Sequence, residues 1–426
     1  MSVSSDAIHL TADERAMLAG HAGAATQLAM RVLCRMAPLY GAQSLLPVTR
    51  AHIDGVILSG DACLEFAERL ADLGGRVSVP TTLNVMSMDR QHWQTWGQDP
   101  AYADRAWRLG QAYLQMGALP TFTCAPYQTS AAPGFGEQIA WSESNAVAFA
   151  NSVIGARTNR YGDFLDICCA ITGRVPASGL HLDEPRLAKV VLELEPLPGE
   201  LTQRDDFYPV LGYLLGSLLE DHIGVVAGLA AQPSEDQLKA LLAAAASSGS
   251  VALVHLAGIT PEAPTVTDAL GGRLPQRTVR VTFADLRQTR TELTTTAGQC
   301  VDLVAFGSPH CSLAEARTLA ALMNGRHAAP GTEVFITTSR AVRELLHRSG
   351  DLAVLEAFGA RVTADTCIVV APLVNPEARV LMTNSAKYAH YGPGLLGIDA
   401  VFGATEECVE SAVAGTVVRR DSPWDH

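Results

Sequence analysis

The chain is poor in charge, and it lacks a paired-cysteine spacing and a nucleotide-binding signature. Only 18% of its 426 residues are Asp, Glu, Lys or Arg, against roughly 25% in an average globular chain. Apolar residues make up 48% and mean hydropathy is +0.15, so the chain has enough surface to bury and disorder is not its dominant state. It also lacks a basic excess: 31 Lys and Arg stand against 44 Asp and Glu, a net charge of −13. That argues against a nucleic-acid partner, which needs a basic face to displace counterions from phosphates. The opening MSVSSDAIHLTADERAML has no basic stretch followed by an apolar run. A secretory leader is therefore not expected, and a cytoplasmic protein is. No long apolar segment runs unbroken. The best membrane candidate, 240–258, lacks charge but is split by Ser247-Ser248-Gly249-Ser250. It reads as helix, turn and strand rather than a membrane span.

There is no CxxC pair, which excludes a zinc ribbon or a ferredoxin-type run. The nine cysteines (34, 63, 124, 168, 169, 300, 311, 367 and 408) are sparse and odd in number, so a disulfide scaffold is also excluded. In a reducing compartment they are thiols or metal ligands, and a metal site must be assembled from distant positions. GxxxxGK[ST], a Gly-rich dinucleotide fingerprint after a strand, and GxSxG are all missing.

What is present is an ordered alternation. At roughly 150 residues per domain, the length fits two to three domains or one large α/β body. Thr11 and Glu14 form a capping box, as do Ser234 with Gln237 and Ser312 with Glu315, so helices begin at each. Helical spacing runs over 61–73 and 104–116, with strand and loop over 77–86 between them. In the second half, strands are expected at 251–256, 279–283, 301–306, 333–337 and 361–370, alternating with helices that include 341–348 and 352–357. Strands alternating with capped helices imply a largely parallel sheet. Ligands of such sheets bind beyond the carboxyl ends of the strands. Gly307–Cys311 and Thr337–Ser339 occupy those ends. Cys311 directly precedes a helix N-cap, where a thiol either feels the positive end of the helix dipole or simply fills a turn.

Four stretches have unusual composition. Thr121–Tyr127 places Cys124 before a proline turn, as a metal ligand or a buried core thiol. Trp141–Ala146 packs Glu143, Asn145 and the hydroxyls of Ser142 and Ser144 into an apolar setting. A polar substrate would partner them, or Ser142 or Ser144 caps a helix. Gly155–Asp163 holds Arg157 and Arg160, either a clamp for a carboxylate or phosphate or a surface turn in which Arg160 pairs with Asp163. Thr383–Gly394 gathers Ser385, Lys387, Tyr388, His390 and Tyr391 ahead of Gly-Pro-Gly, and reads as a loop carrying a site or a solvated turn.

These stretches extend into longer runs: HIDGVILSGDACLEFAERL (52–70), VPTTLNV (79–85), TFTCAPYQ (121–128), EQIAWSESNAVAFANSVIGARTNRYGDFLDICCAITGRVP (137–176), FGSPHCSLAE (306–315), DTCIVV (365–370), NSAKYAHYGPGLLG (384–397) and VFGATEECVESA (401–412). Together they resemble the large, catalytic subunit of the aconitase X family, over about residues 5–415. The resemblance implies an α/β fold, with an aconitase-like α/β/α core of largely parallel sheets and without the small swivel domain. It divides into an N-terminal part over 1–230, a C-terminal α/β part over 231–415 and a tail over 416–426. It also implies a hydro-lyase that eliminates water from a small hydroxy acid, aided by an iron–sulfur cluster acting as Lewis acid. The first substrate it implies is cis-3-hydroxy-L-proline, giving pyrroline-2-carboxylate. The alternatives are mevalonate 5-phosphate and a non-catalytic, iron-sensing or regulatory subunit on the same scaffold. A small swivel-domain subunit is the implied partner. It would carry the superfamily's serine base, so no general base is assigned here.

By the same resemblance, cluster ligands fall on Cys124 and Cys367. A third cysteine that precedes Pro-His in many archaeal members is here Ser308, so Ser308 itself or Cys311 would complete the set. Candidate catalytic residues are His310, Lys387 and Glu143. Candidate substrate-binding residues are Ser144, Asn145, Arg157, Arg160 and Ser385. Ser308 before Pro309-His310 resembles bacterial members and favours the hydroxyproline reading. A phosphorylated substrate would need further cations.

Overall fold

The structure is a computed structural model that describes residues 8–426. The expectation about a leader rests partly on residues 1–7 and there lies outside the described residues. The chain divides into two compact units, the first ending at Leu187 and the second spanning Ala188–His426. Residue 230, the border expected from sequence, falls in a loop inside the second unit.

The first unit surrounds a small sheet with helices. Its strands are β1 (Leu45–Pro47), β2 (Ala51–Ile53), β3 (Thr81–Leu83), β4 (Ala140–Trp141) and β5 (Arg174–Pro176). β1 pairs antiparallel with β5, while β3-β2-β4 form a parallel sheet. The expected capping box opens the helix Ala12–Ala19, and its Glu14 also accepts from Arg174 Nε at 2.9 Å. One side chain thus satisfies a helix end and fastens it beside β5. The helices Asp61–Asp72 and Pro100–Gln115 match the expected periodic runs. The helix Leu165–Thr172 is buried on every side, including Cys168 and Cys169. Burial pushes both thiols up, so they behave as core residues.

The second unit carries two parallel sheets. β6 (Val190–Leu194), β7 (Gly224–Ala227), β8 (Val254–Leu256) and β9 (Arg277–Val281) form the first, in the order β8-β7-β6-β9. β10 (Leu303–Cys311), β11 (Glu333–Thr338), β12 (Ala360–Ala364), β13 (Val380–Thr383) and β14 (Asp399–Phe402) form the second, in the order β12-β11-β10-β13-β14. The apolar stretch 240–258 is helix, break and strand: the helix Glu235–Ser248 gives way at Gly249 before β8. No helix among the described residues is long and apolar enough to cross a membrane. Residues 416–426 pack onto this unit rather than hanging off it. Trp424 is buried, stacks near Phe207 and Phe283, and donates from Nε1 to Asp206 at 3.0 Å.

In this unit β6, β7, β13 and β14 lie outside the expected strands, β8 and β9 are shifted by two or three residues, and two further expected strands end elsewhere for identifiable reasons. β10 does not stop at Phe306 but runs to Cys311, with its register against β11 slipping between Phe306 and Cys311. Gly307 makes the slip possible. Its φ is +97°, and a Cβ there would lie 2.1 Å from the Thr337 carbonyl oxygen, so only glycine fits. β12 ends at Ala364, short of the expected 370, because Asp365 adopts φ +69° and turns the chain. Among the nine cysteines, Cys300 alone is exposed.

Candidate active site

In the first unit, register lines up polar residues at the carboxyl edge of the parallel sheet. His52 pairs across with Thr82 on β3 and Trp141 on β4. Two residues on, and so on the same face, come Asp54, Asn84 and Glu143. Asn84 Nδ2 donates to Asp54 Oδ1. Backbone N–H groups of Asp54 and Gly55 donate to Asp166 Oδ2 at 2.8 and 3.1 Å. Burial, first of all, and then the charge of Glu143 push the Asp54 carboxyl up to about 7; burial does the same to Asp166.

Glu143, rather than Ser142 or Ser144, caps the helix Ser144–Phe149: its carboxylate accepts from Ala146 N at 2.8 Å. A carboxylate is the better cap because it also meets the positive end of the helix. Ser144 Oγ and Asn145 Nδ2 both donate to Glu143, and Asn145 Oδ1 accepts from Tyr127 at 2.8 Å. Tyr127 stacks on Phe149 at 3.9 Å. Thr123 N donates to Leu83 O at the end of β3. Cys124, buried in this same loop, therefore sits at the sheet edge that carries Asn84, Asp54 and Glu143. Sequence reasoning brought Glu143, Ser144, Asn145 and Cys124 into view. It missed His52, Asp54 and Asn84, although the carboxyl-edge rule, applied to β2 and β3, would have found the last two.

The two arginines of this unit do not form one clamp. Arg157 is ion-paired to Asp183 and also donates to His181 O. Arg160 is exposed, and no pair with Asp163 forms among the described residues.

In the second unit, the remaining candidates meet at the carboxyl edge of β10 and β13. Ser385 Oγ donates to Ser308 O at 2.5 Å and accepts from Tyr388 N, capping the helix Ala386–Tyr391. The segment expected as a loop is thus a short helix, and its N-cap touches the β10 slip. A cavity of about 210 Å³ opens here, lined by Lys239, Ser308, Cys311, Ser385 and Lys387 among others. His310 is buried and donates from Nε2 to Thr366 O at 3.0 Å, the residue before Cys367. Cys311 and Cys367 are buried, and Cys311 directly precedes the N-cap Ser312.

Lys239 was not singled out by sequence. It is fully buried, and its ammonium donates to Asp236, Glu315 and His310 O. Burial opposes its charge, but Glu315 and Asp236 more than offset it and its pKa rises. The lysine ties the helix Glu235–Ser248 to the end of β10.

Parallel sheets with polar groups and thiols at their carboxyl ends define a multidomain, mixed α/β protein with sites placed where such sheets hold small ligands. Three family models cover it in turn: Aconitase X first domain over residues 7–184, second domain over 188–291 and third domain over 301–414. The chain belongs to the aconitase X family. It is 52% identical to a cis-3-hydroxy-L-proline dehydratase of Pseudomonas aeruginosa, over 95% of this chain and 70% of that protein. It is 39% identical to a phosphomevalonate dehydratase large subunit of Methanothermobacter thermautotrophicus, over 93% of this chain and 96% of that one. The crystal structure of Thermococcus kodakaraensis aconitase X in its holo-form superposes with a TM-score of 0.84, at 34% identity, covering 95% of this chain and all of the other.

Proposed function

We propose that the chain is a hydro-lyase that eliminates water from cis-3-hydroxy-L-proline. The observation that carries this is the 52% identity to a dehydratase of that name over nearly the whole chain. Elimination takes the hydroxyl from one ring carbon and the proton from its neighbour, the carbon bearing the carboxylate. The enamine so formed tautomerises to pyrroline-2-carboxylate, and one water leaves.

The residues suit the parts of this reaction unevenly. Lys387 lines the 210 Å³ cavity and is the proposed carboxylate ligand, while the guanidinium of Arg157 is engaged by Asp183. Ser385, Ser144 and Asn145 are buried hydrogen-bonding groups that can orient a hydroxyl. His310 and Glu143 are the candidate proton carriers. His310 is held in place by the hydrogen bond from its Nε2 to Thr366 O. The ligands proposed for an iron–sulfur cluster are Cys124 and Cys367, with Cys311 or Ser308 as the third. The donors fit in kind, since buried thiols are the soft ligands such clusters take, and the buried Thr366 hydroxyl next to Cys367 has no partner. When bound, the cluster supplies an open iron as Lewis acid for the leaving hydroxyl. The words "large subunit" in the name of the archaeal relative support a small partner subunit, which on the family resemblance carries the base.

The test is turnover by the chain co-expressed with its small subunit and purified without oxygen. Cis-3-hydroxy-L-proline should be converted, mevalonate 5-phosphate should not, and iron and sulfide should co-purify. Turnover of mevalonate 5-phosphate alone would overturn the substrate, and turnover by iron-free protein would overturn the cluster.

A further inference from the structure

The row at the edge of the first unit's sheet holds several buried polar atoms without partners. His52 is fully buried, and burial lowers its pKa to about 4, so the ring is neutral. Its Nδ1 shares a 2.8 Å hydrogen bond with Thr82 Oγ1. His52 Nε2 has no partner. Asn84 spends its N–H on Asp54, leaving Oδ1 without a partner on a side chain that is 2% exposed. The second oxygen of Asp54 accepts no hydrogen bond among the described residues, and Asp54 has no ion pair. Ser142 Oγ and Trp141 Nε1, on residues 2% and 1% exposed, are unpartnered as well. Native interiors rarely leave buried polar atoms unmatched, and several in one place mark the seat of something absent from the chain itself. The complement of Asn84 Oδ1 and the open oxygen of Asp54 is a cationic group with N–H donors.

We infer that Asp54 and Asn84 form a subsite for the ammonium group of an amino-acid substrate, with Asp54 as its specificity-determining residue. The inference rests on the proposed function, in which the substrate is a cyclic hydroxy amino acid. Its secondary ammonium carries one positive charge and two N–H bonds, one for the open oxygen of Asp54 and one for Asn84 Oδ1. The ammonium also favours the charged form of Asp54, which burial and the charge of Glu143, just beyond the adjacent strand, oppose. A phosphorylated hydroxy acid would bring only negative charge to this row.

The test compares two ligands that share a five-membered ring and a carboxylate and differ in the N–H group: L-proline and cyclopentanecarboxylate. Titration calorimetry on the full chain should show L-proline bound at least about tenfold more tightly, as for one charge-assisted hydrogen bond. Asp54→Asn should lose that preference while holding cyclopentanecarboxylate as before, which also shows that the variant folds. Asn84→Ser should weaken L-proline binding in the same selective way. The inference is overturned if the wild type holds both ligands equally or neither, or if Asp54→Asn weakens both alike. Turnover of hydroxyproline together with an unchanged preference in Asp54→Asn would remove this subsite and leave the proposed reaction standing. Turnover of mevalonate 5-phosphate alone would remove both.

Discussion

Asp54 shows how one residue can be coupled to the acidity of the medium. Burial, then the charges of Glu143 and Asp163, keep its carboxyl protonated up to about pH 7, whereas in an unfolded chain it releases its proton near pH 4. The folded state therefore holds a proton that the unfolded state gives up. This contribution to stability is complete below about pH 4 and is lost as the pH rises through 7. Asp166 behaves in the same direction. Asp54→Asn removes the share of Asp54, so the variant should gain on the wild type between about pH 5 and 7 and level off above it. Urea unfolding of both proteins across that range measures it, and a difference that does not change with pH would refute the assignment. Nothing in the residues around Asp54 announces this behaviour. It depends on Glu143 arriving from a strand almost ninety positions later, and single-sequence reading has no access to that register.

At the scale of elements, the close pair of helices in the second unit governs where Lys239 sits. Phe207–Leu219 meets Glu235–Ser248 through glycine. A Cβ on Gly212 would lie 2.0 Å from the Leu241 carbonyl oxygen, and one on Gly216 would lie 2.0 Å from Ser248 Oγ. Alanine at 212 would be favoured by helix propensity, but it must push two backbones apart. We expect Gly212→Ala to destabilise the protein by about 1–3 kcal/mol. It should also draw Lys239 away from the His310 carbonyl, which a lowered thermal midpoint together with reduced turnover would reveal. Elements whose cause is local were legible in the sequence. The capping boxes at Thr11, Ser234 and Ser312 each needed only residues three apart, and all three open helices as expected. Elements decided by distant backbone were not. The extension of β10 to Cys311 depends on Thr337, and the short helix after Ser385 depends on a hydrogen bond to Ser308 O.

Across the whole molecule, the parallel-sheet class followed from alternation alone, whereas the division after Leu187 left no mark in composition. The candidate residues were legible as four polar stretches, with Gly307–Cys311 at a strand end and Cys367 from the family resemblance. Their grouping was not: Cys124, Glu143, Ser144 and Asn145 belong to one sheet edge, and Ser308, Cys311 and Ser385 to another, and no short-range pattern sorts them. The distribution of sulfur has a further use. With Cys300 exposed, Cys34 half-buried and the other seven buried, a thiol reagent has one immediate target, one intermediate one and a set of delayed ones. Mass spectrometry of native protein in maleimide should record a single fast adduct at Cys300. Slow adducts should follow at Cys63, Cys124, Cys168 and Cys169 as the first unit opens, and at Cys311, Cys367 and Cys408 as the second does. Prompt labelling of any of these seven would contradict the burial described above. The chain thus carries its own clock for each unit, and the delay at Cys311 and Cys367, compared between iron-loaded and iron-depleted protein, becomes a readout of what those two thiols hold.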